Sequence, residues 1–214
     1  MTVPVSDTDA APAIFEARLP LVLASASPRR HDLLGSVGLE FEILAVDGEP
    51  DPEPGEAPEA YAMRAAKAKA EAAARQRPEA VVLAADTIVV LDDENDSEIL
   101  GKPTDESEAM MMLARLAGNT HRVVTGCCLA MPGREPKTFC AQTEVEMGPQ
   151  PLAALMAYVA TGEPMGKAGA YAIQGRGAFL VSRVSGSYTN VVGLPLAMIL
   201  DQLQALGAVT PRGG

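Results

Sequence analysis

Leu19-Pro-Leu-Val-Leu-Ala-Ser25-Ala-Ser27-Pro28-Arg29-Arg30-His-Asp-Leu-Leu-Gly35 joins a short apolar run to a pair of hydroxyls, a proline and a glycine. An apolar run bounded by turn residues predicts a buried strand over Leu19 to Ser25. Ser27 is a favoured N-cap and Pro28 suits the first helical position, so the spacing predicts a helix from Pro28 to about Gly35. A strand that turns directly into a helix is the opening of an α/β arrangement.

The same alternation continues along the chain. A second strand is expected over Phe41 to Val46, then an acidic, proline-rich loop over Asp47 to Pro58. Glu59 to Arg75 is rich in alanine and has high helix propensity. Ala80 to Leu91 is rich in β-branched residues and predicts a long strand. A polar turn over Asp92 to Ser97 leads into Glu98-Ile-Leu100. Thr104 or Asp105 caps a helix that runs to Leu116 and is closed by Gly118. Thr120 to Met131 and Lys137 to Glu146 are expected as strands joined by a Pro-Gly turn. Pro151 to Ala160 is a helix, Gly177 to Val184 a strand, and Leu196 to Leu206 a last helix stopped by Gly207. Long crossovers and hairpin-like links together predict α/β with a mixed sheet. Residues 1–18 read as a disordered leader, 19–208 as a single domain, and 209–214 as a short tail.

Composition narrows the function. The chain has 214 residues, 48% of them hydrophobic, with 17 basic and 28 acidic side chains and a formal charge of −11. That balance argues against binding a nucleic-acid polymer, which needs a basic footprint. With 2 His, 3 Cys and no CxxC pair, little is left for a structural zinc site. Cys127, Cys128 and Cys140 are expected as buried small hydrophobes in a reducing, cytoplasmic setting. No apolar stretch is long enough to span a membrane, and the leader lacks the basic region of a secretory signal.

Four segments carry chemistry. In Ser25-Ala-Ser27-Pro28-Arg29-Arg30, two arginines crowd a helix start that is already partly positive. They become favourable there if an anion sits against the free N–H groups; the alternative is a solvated pair bridging surface acids. In Val81-Val-Leu-Ala-Ala85-Asp86-Thr87, an apolar strand delivers a carboxylate where burial penalises charge, so Asp86 is paired, metal-bound or catalytic. Asp47 and Glu49 are its acidic companions, and a hard cation takes one or two carboxylates plus phosphate oxygens. Lys69 lies in the alanine-rich helix, whereas Lys102 and Lys167 each adjoin a glycine that lets backbone approach a ligand closely. Finally, Lys167-Ala-Gly-Ala-Tyr171-Ala-Ile-Gln174-Gly175 and Gly186-Ser-Tyr-Thr-Asn190-Val-Val-Gly-Leu-Pro195 have the small, polar make-up of binding loops. No Walker or dinucleotide fingerprint occurs, since Gly175-Arg176-Gly177 lacks its third glycine. His121 has no serine-nucleophile partner motif and is expected to be structural; His31 is expected to face solvent.

Taken together, these motifs resemble the Maf family of nucleoside triphosphate pyrophosphatases, from about Leu21 to Leu206. The marks are Leu23-Ala-Ser-Ala-Ser-Pro-Arg-Arg30, Ala84-Ala-Asp86-Thr-Ile-Val-Val90, Leu100-Gly-Lys102-Pro103, Gly118-x-x-His121-x-Val-x-Thr125, Gly162-Glu163-Pro164-x-x-Lys167-Ala-Gly-Ala-Tyr171-x-Ile-Gln174-Gly175 and Gly186-Ser-Tyr-x-Asn-Val-Val-Gly-Leu-Pro195. The resemblance implies an elongated mixed β-sheet flanked by helices, with two lobes and a deep nucleotide-binding cleft, as in the Maf and ITPase-like folds. It implies hydrolysis of a nucleoside triphosphate to the monophosphate and pyrophosphate, aided by a divalent cation (Mg²⁺, Mn²⁺ or Co²⁺), with house-cleaning of modified nucleotides as a role. Often it implies a homodimer.

By position in the family pattern, Ser25, Arg29, Arg30, Lys69 and Lys102 hold the triphosphate. Lys167 joins them in one basic cleft of an acidic protein, which can focus a polyanion. Asp86 is the general base or a metal ligand, and Glu49 the second metal-binding acid. Thr87 after Asp86, together with Ile173-Gln174-Gly175, resembles the subgroup acting on dTTP and UTP. A Gln amide offers both a donor and an acceptor to a uracil or thymine edge, with Arg30 and Thr87 as neighbouring selectors. The alternatives are the same chemistry on 7-methyl-GTP or a damaged nucleotide, and a nucleotide-binding regulator of septum formation.

Overall fold

A computed structural model of the chain describes residues 13–46, 48–93 and 97–213. Its first elements are β1 (Phe15–Ala17), β2 (Leu21–Leu23), α1 (Pro28–Gly35), β3 (Glu42–Ile43), α2 (Pro58–Gln76), β4 (Val81–Asp92), β5 (Ser97–Leu100) and α3 (Glu106–Leu116). They are followed by β6 (Thr120–Ala130), β7 (Lys137–Met147), α4 (Leu152–Val159), β8 (Val181–Ser185), α5 (Tyr188–Val192), α6 (Leu196–Ala205) and β9 (Val209–Pro211). Asp47, the leader up to residue 12, the centre of the expected Asp92–Ser97 turn and Gly214 lie outside the described residues.

β4 organises the sheet, whose order is β3-β2-β4-β6-β7-β8 with β5 also on β4. β2 runs parallel to both β3 and β4, while β4–β5, β4–β6, β6–β7 and β7–β8 are antiparallel. The sheet is therefore mixed, as expected. Successive side chains of a strand point to opposite faces. Val82 and Ala84 of β4 pack with the alanines of α2, and Ile88 and Val90 pack with Ala62 of the same helix. On the other face, Val81, Leu83 and Ala85 meet Leu34 of α1 and Ile199 and Leu203 of α6. Further along that face, Val89 joins a separate core with Leu113, Leu155 and Leu180. β4 and β6 thus carry one core near each end, which gives the molecule its two lobes.

The edge of β4 has a gap. β2 lies beside Val81–Leu83 and β5 beside Val89–Asp92; between them no described strand covers that edge. On the opposite edge, β6 pairs continuously from Val82 to Val90. The gap falls at the boundary between the two cores, so it opens both faces of β4 at Asp86 and Thr87 to one cleft. A place where a parallel neighbour ends and a different one begins is where α/β sheets commonly bind ligands.

α2 lies unusually close to the sheet because of two small-residue choices. Ala62, Ala66, Ala70 and Ala73 repeat at helical spacing on its buried side, and all are fully buried. Under Ala62 stands Gly126 of β6, where an added Cβ would fall 2.2 Å from the Ala62 carbonyl carbon. Only glycine permits that approach. Lys69 shares the alanine face, one turn past Ala65 and Ala66, and is carried into the interior with it.

Several segments differ from the sequence expectation. Phe15–Ala17, within the expected leader, pairs antiparallel with Val209–Pro211 of the expected tail, and Phe15 packs on the core under α6. The pairing joins the two ends of the described chain, which local patterning does not register. The second strand shrinks to Glu42–Ile43. The expected strand from Gly177 is a 3₁₀ turn over Arg176–Leu180 followed by β8. Gly175, at φ 140°, breaks the extended backbone there. α5 was not expected; Ser187 caps it by accepting from the Asn190 N–H at 3.2 Å.

Candidate active site

Ser25, Arg29, Arg30, Glu49, Lys69, Asp86, Thr87, Lys102, Lys167 and Gln174 all line one cleft of about 430 Å³. They come from the turn after β2, the start of α1, the loop before α2, α2 itself, β4, and the loops after β5 and α4. Asp86 is 6% exposed and Lys69 7% exposed, on the facing surfaces of β4 and α2.

The centre is an acid–base–acid cluster. Lys69 Nζ donates to Asp86 Oδ1 at 2.7 Å and to Glu49 Oε1 at 2.5 Å. Lys102 Nζ lies 3.4 Å from the Glu49 carboxylate. Burial pushes the Glu49 carboxyl upward, but the ammonium groups of Lys69 and Lys102 outweigh it and hold the group well below the usual carboxylate range. A lysine in an alanine-rich helix ordinarily faces solvent; the burial of Lys69 follows from the alanine stripe and Gly126 rather than from its own neighbours in the chain.

Arg30 is differently placed from its expected role on the triphosphate. Its Nη1 donates to the Ala85 carbonyl at 2.8 Å, at the uncovered edge of β4, and to Ser25 Oγ at 3.2 Å. Nε donates to the Gly193 carbonyl at 2.8 Å, and Nη2 to Thr87 Oγ1 at 2.9 Å. Four of its five N–H groups are thereby committed within the protein. Thr87 Oγ1 continues the chain to Thr125 Oγ1 at 3.0 Å. Arg30 therefore substitutes for the missing strand at the β4 edge and fixes the site's inner wall.

Arg29 lines the same cleft and has no ion pair among the described residues. Its charge, after desolvation, is what lowers the pKa of Lys167 from the ordinary lysine value. Two like charges facing one cleft are unfavourable until an anion lies between them. His31, expected to face solvent, instead donates from Nε2 to the Ser25 carbonyl at 2.7 Å and braces the turn. His121 is buried, shares a 2.8 Å hydrogen bond with the Tyr171 hydroxyl through Nε2, and keeps its imidazole neutral by burial, near about 4.

Gln174 and Lys167 lie on the loop between α4 and β8. That loop is organised by Glu163 and Tyr158, neither of which carries an expected role. Glu163 reaches forward across the loop to accept from the backbone N–H groups of Arg176 and Gly177 at 3.0 and 2.9 Å. The signal for it was the Gly162-Glu163-Pro164 turn, but the partners lie more than a helical turn away. Gly193, whose carbonyl receives Arg30, was likewise visible only as one small residue in a loop.

Comparison with known proteins extends across nearly the whole chain. Residues 20–206 match the model of a family described as Maf-like protein. The chain is 53% identical over 196 residues to a dTTP/UTP pyrophosphatase of Nitratidesulfovibrio vulgaris, covering 91% of each. It is 51% identical over 202 residues to a dTTP/UTP pyrophosphatase of Oleidesulfovibrio alaskensis, covering 93% of this chain and 90% of that one. Among solved structures, it is similar to a nucleoside-triphosphatase / dITP/XTP pyrophosphatase of Mycobacterium abscessus at 18% identity and a TM-score of 0.44, with 89% of this chain and 97% of that chain covered.

Proposed function

The chain belongs to the Maf-like protein family, and from that membership we propose that it hydrolyses a nucleoside triphosphate, dTTP or UTP, to the monophosphate and pyrophosphate. The observation that carries this at the site is the meeting, in one cleft, of the Glu49–Lys69–Asp86 cluster with the cations Arg29, Lys102 and Lys167. Relatives about half identical over most of their length bear the name of that activity.

Asp86 is the general base. Its Oδ1 is held by Lys69 at 2.7 Å, which leaves Oδ2 to take a proton from the attacking water. The water oxygen bonds to the α-phosphorus, the bond from that phosphorus to the α,β-bridging oxygen breaks, and pyrophosphate leaves with the electron pair. Arg29 and Lys167 hold the departing phosphates, since their mutual repulsion is relieved only by an anion. Lys102 reaches the same region from the rim. Preorganised cations aimed at developing charge supply much of such a rate gain, and losing one typically costs about 10²–10³ in kcat.

A divalent cation fits this donor set. Lys69 draws Glu49 and Asp86 together but engages only Oε1 of the one and Oδ1 of the other, so each carboxylate keeps a second oxygen that an ion could share. Among the described residues no cluster of three His, Cys, Asp or Glu gathers to hold a metal. Two carboxylates suit a hard ion such as Mg²⁺ that keeps water and phosphate oxygens as its other ligands. Glu49 and Asp86 would hold it, and it would supply charge neutralisation on the phosphates. Base choice falls to Gln174, with Arg30 and Thr87 behind it.

The test uses the purified protein with Mg²⁺ and each common nucleoside triphosphate, with products separated by ion exchange. UTP and dTTP should give the monophosphate and pyrophosphate. Release of orthophosphate and a diphosphate, or no turnover with any of them, overturns the proposal.

A further inference from the structure

The loop that carries Gln174 is pinned at both ends by one pair of side chains. At its start, the Ala172 N–H donates to the Tyr158 hydroxyl at 3.2 Å. At its end, the Arg176 and Gly177 N–H groups donate to the Glu163 carboxylate at 3.0 and 2.9 Å. The Tyr158 hydroxyl itself donates to Glu163 Oε1 at 3.0 Å. A continuous path thus runs from Ala172 through Tyr158 and Glu163 to Arg176 and Gly177, and between Ala172 and Arg176 it spans an arc of only Ile173, Gln174 and Gly175. Ile173 and Gln174 line the cleft.

The fit leaves little slack. Gly175 stands at φ 140°, ψ −150°, a region that is essentially glycine's alone. A Cβ there would lie 3.0 Å from Glu163 Oε2. A Cβ on Gly177 would lie 2.5 Å from the Tyr158 hydroxyl and 2.7 Å from the Ala172 carbonyl. The carboxylate and the phenol are therefore seated against the arc's own backbone. The Lys167 ammonium donates to the Glu163 carbonyl, so the same residue also ties down a cleft lysine. Tyr158 is buried and Glu163 half-buried, which protects the clamp from competing water.

We propose that Glu163 and Tyr158 are positioning residues for base selection: their clamp on residues 172–177 sets where the Gln174 amide stands, and so which base edge it can pair with. This rests on the pyrophosphatase activity proposed above. The pair touches neither the Glu49–Lys69–Asp86 cluster nor Arg29, and the Lys167 hydrogen bond goes to the Glu163 backbone carbonyl, which no side-chain substitution removes, so Tyr158→Phe loosens the clamp with the chemical step left in place. An amide displaced by about 1 Å loses its directional pairing, an effect worth up to about a hundredfold.

The experiment compares kcat and KM for UTP and CTP, which differ at the edge the amide would read, in the wild type and in Tyr158→Phe, Glu163→Gln and Gln174→Ala. Tyr158→Phe removes only the hydroxyl. Glu163→Gln keeps the shape but offers one acceptor oxygen to two N–H groups. Both clamp variants should lower the UTP-over-CTP ratio of kcat/KM by about tenfold or more, chiefly through KM for UTP, and in Tyr158→Phe, which leaves the Glu163 charge beside Lys167 in place, kcat for UTP should stay within about twofold of wild type. In the Gln174→Ala background, Glu163→Gln should change the ratio no further, because the two act through one amide. Ratios unchanged in both clamp variants, or effects that add fully to Gln174→Ala, overturn the inference. A wild type that turns over UTP and CTP equally well overturns base selection at Gln174 as a whole. A wild type that turns over neither overturns the activity, so the failures are told apart.

Discussion

Lys69 Nζ and Asp86 Oδ1 stand 2.7 Å apart, one on a helix and the other on a strand, and neither is more than 7% exposed. The pair exists because α2 presents alanines to the sheet and Gly126, directly opposite Asp86 in the β4–β6 ladder, has no side chain to hold the helix away. A buried carboxylate without its cation is costly, and removing one partner of such a pair typically loses about 3–5 kcal/mol. In Lys69→Met, urea denaturation should show a loss of about 3 kcal/mol, and turnover should fall about 10²–10³-fold. Mg²⁺ should then stabilise the variant more than the wild type, since the ion takes the place of the missing ammonium. A Lys69→Met protein with wild-type turnover removes the ammonium from the chemistry.

Gly126 offers a second, purely steric test. Gly126→Ala drives a methyl group to about 2.2 Å from the backbone of Ala62, and a backbone neighbour cannot rotate aside. Overpacking of this kind typically costs about 1–3 kcal/mol or more. Because α2 must lift from β6, the Lys69–Asp86 distance should lengthen as well, so activity should fall further than stability alone explains. Gly35→Ala is the control: an added Cβ there meets nothing within 4 Å, and alanine near a helix end should be neutral or stabilising by up to about 1 kcal/mol. Equal melting temperatures for the two variants contradict the steric account.

The sequence was most legible where a local pattern already conflicted with itself. An apolar strand that ends in Asp86-Thr87 and a helix start crowded with Arg29-Arg30 both stand out because burial and the helix dipole penalise those charges. Both segments line the cleft. What stayed hidden depends on residues distant in the chain. Lys69 looks like any lysine of an alanine-rich helix until Gly126 brings the sheet beneath it. Arg29 and Arg30 are alike by position, yet Arg30 turns to the bare edge of β4 at Ala85, an edge that exists only because β2 ends and β5 begins on either side of it. The β1–β9 pairing and the Glu163 clamp are contacts of the same non-local sort.

His121 should make the protein acid-sensitive in a defined window. Burial lowers its pKa from 6.5 to about 4, so the folded protein keeps the imidazole neutral where the unfolded chain would bind a proton. The unfolded state therefore binds more protons between these values, and stability is full above about pH 6.5 and is lost as the pH falls toward 4. The span of roughly 2.5 units corresponds to about 3 kcal/mol. Urea denaturation of the wild type at pH 7 and at pH 4.5 should show most of that loss. In His121→Gln the difference between the two conditions should shrink by about the same amount. An unchanged difference would mean that other groups carry the acid sensitivity.

Arg30 is predicted to matter more as a fork than as a charge. Its four bonds reach the carbonyls of Ala85 and Gly193 and the hydroxyls of Ser25 and Thr87. Lysine keeps the charge but offers a single nitrogen, which cannot span acceptors on the turn after β2, on β4 and on the loop after α5 at once. Each acceptor left unsatisfied in a buried setting costs about 1–3 kcal/mol, so Arg30→Lys should lose about 2 kcal/mol or more despite conserving charge. Thr87→Val removes one acceptor with little change of shape and should cost about 1 kcal/mol in the wild type. In the Arg30→Lys background the Thr87→Val cost should be smaller, because the bond from the arginine is already gone and only those to Thr125 and the Gly193 carbonyl remain to be lost; a cycle of four denaturation curves measures this coupling. Full additivity would mean that Arg30 and Thr87 act independently, and that the β4 edge at Ala85 is held by something other than the arginine fork.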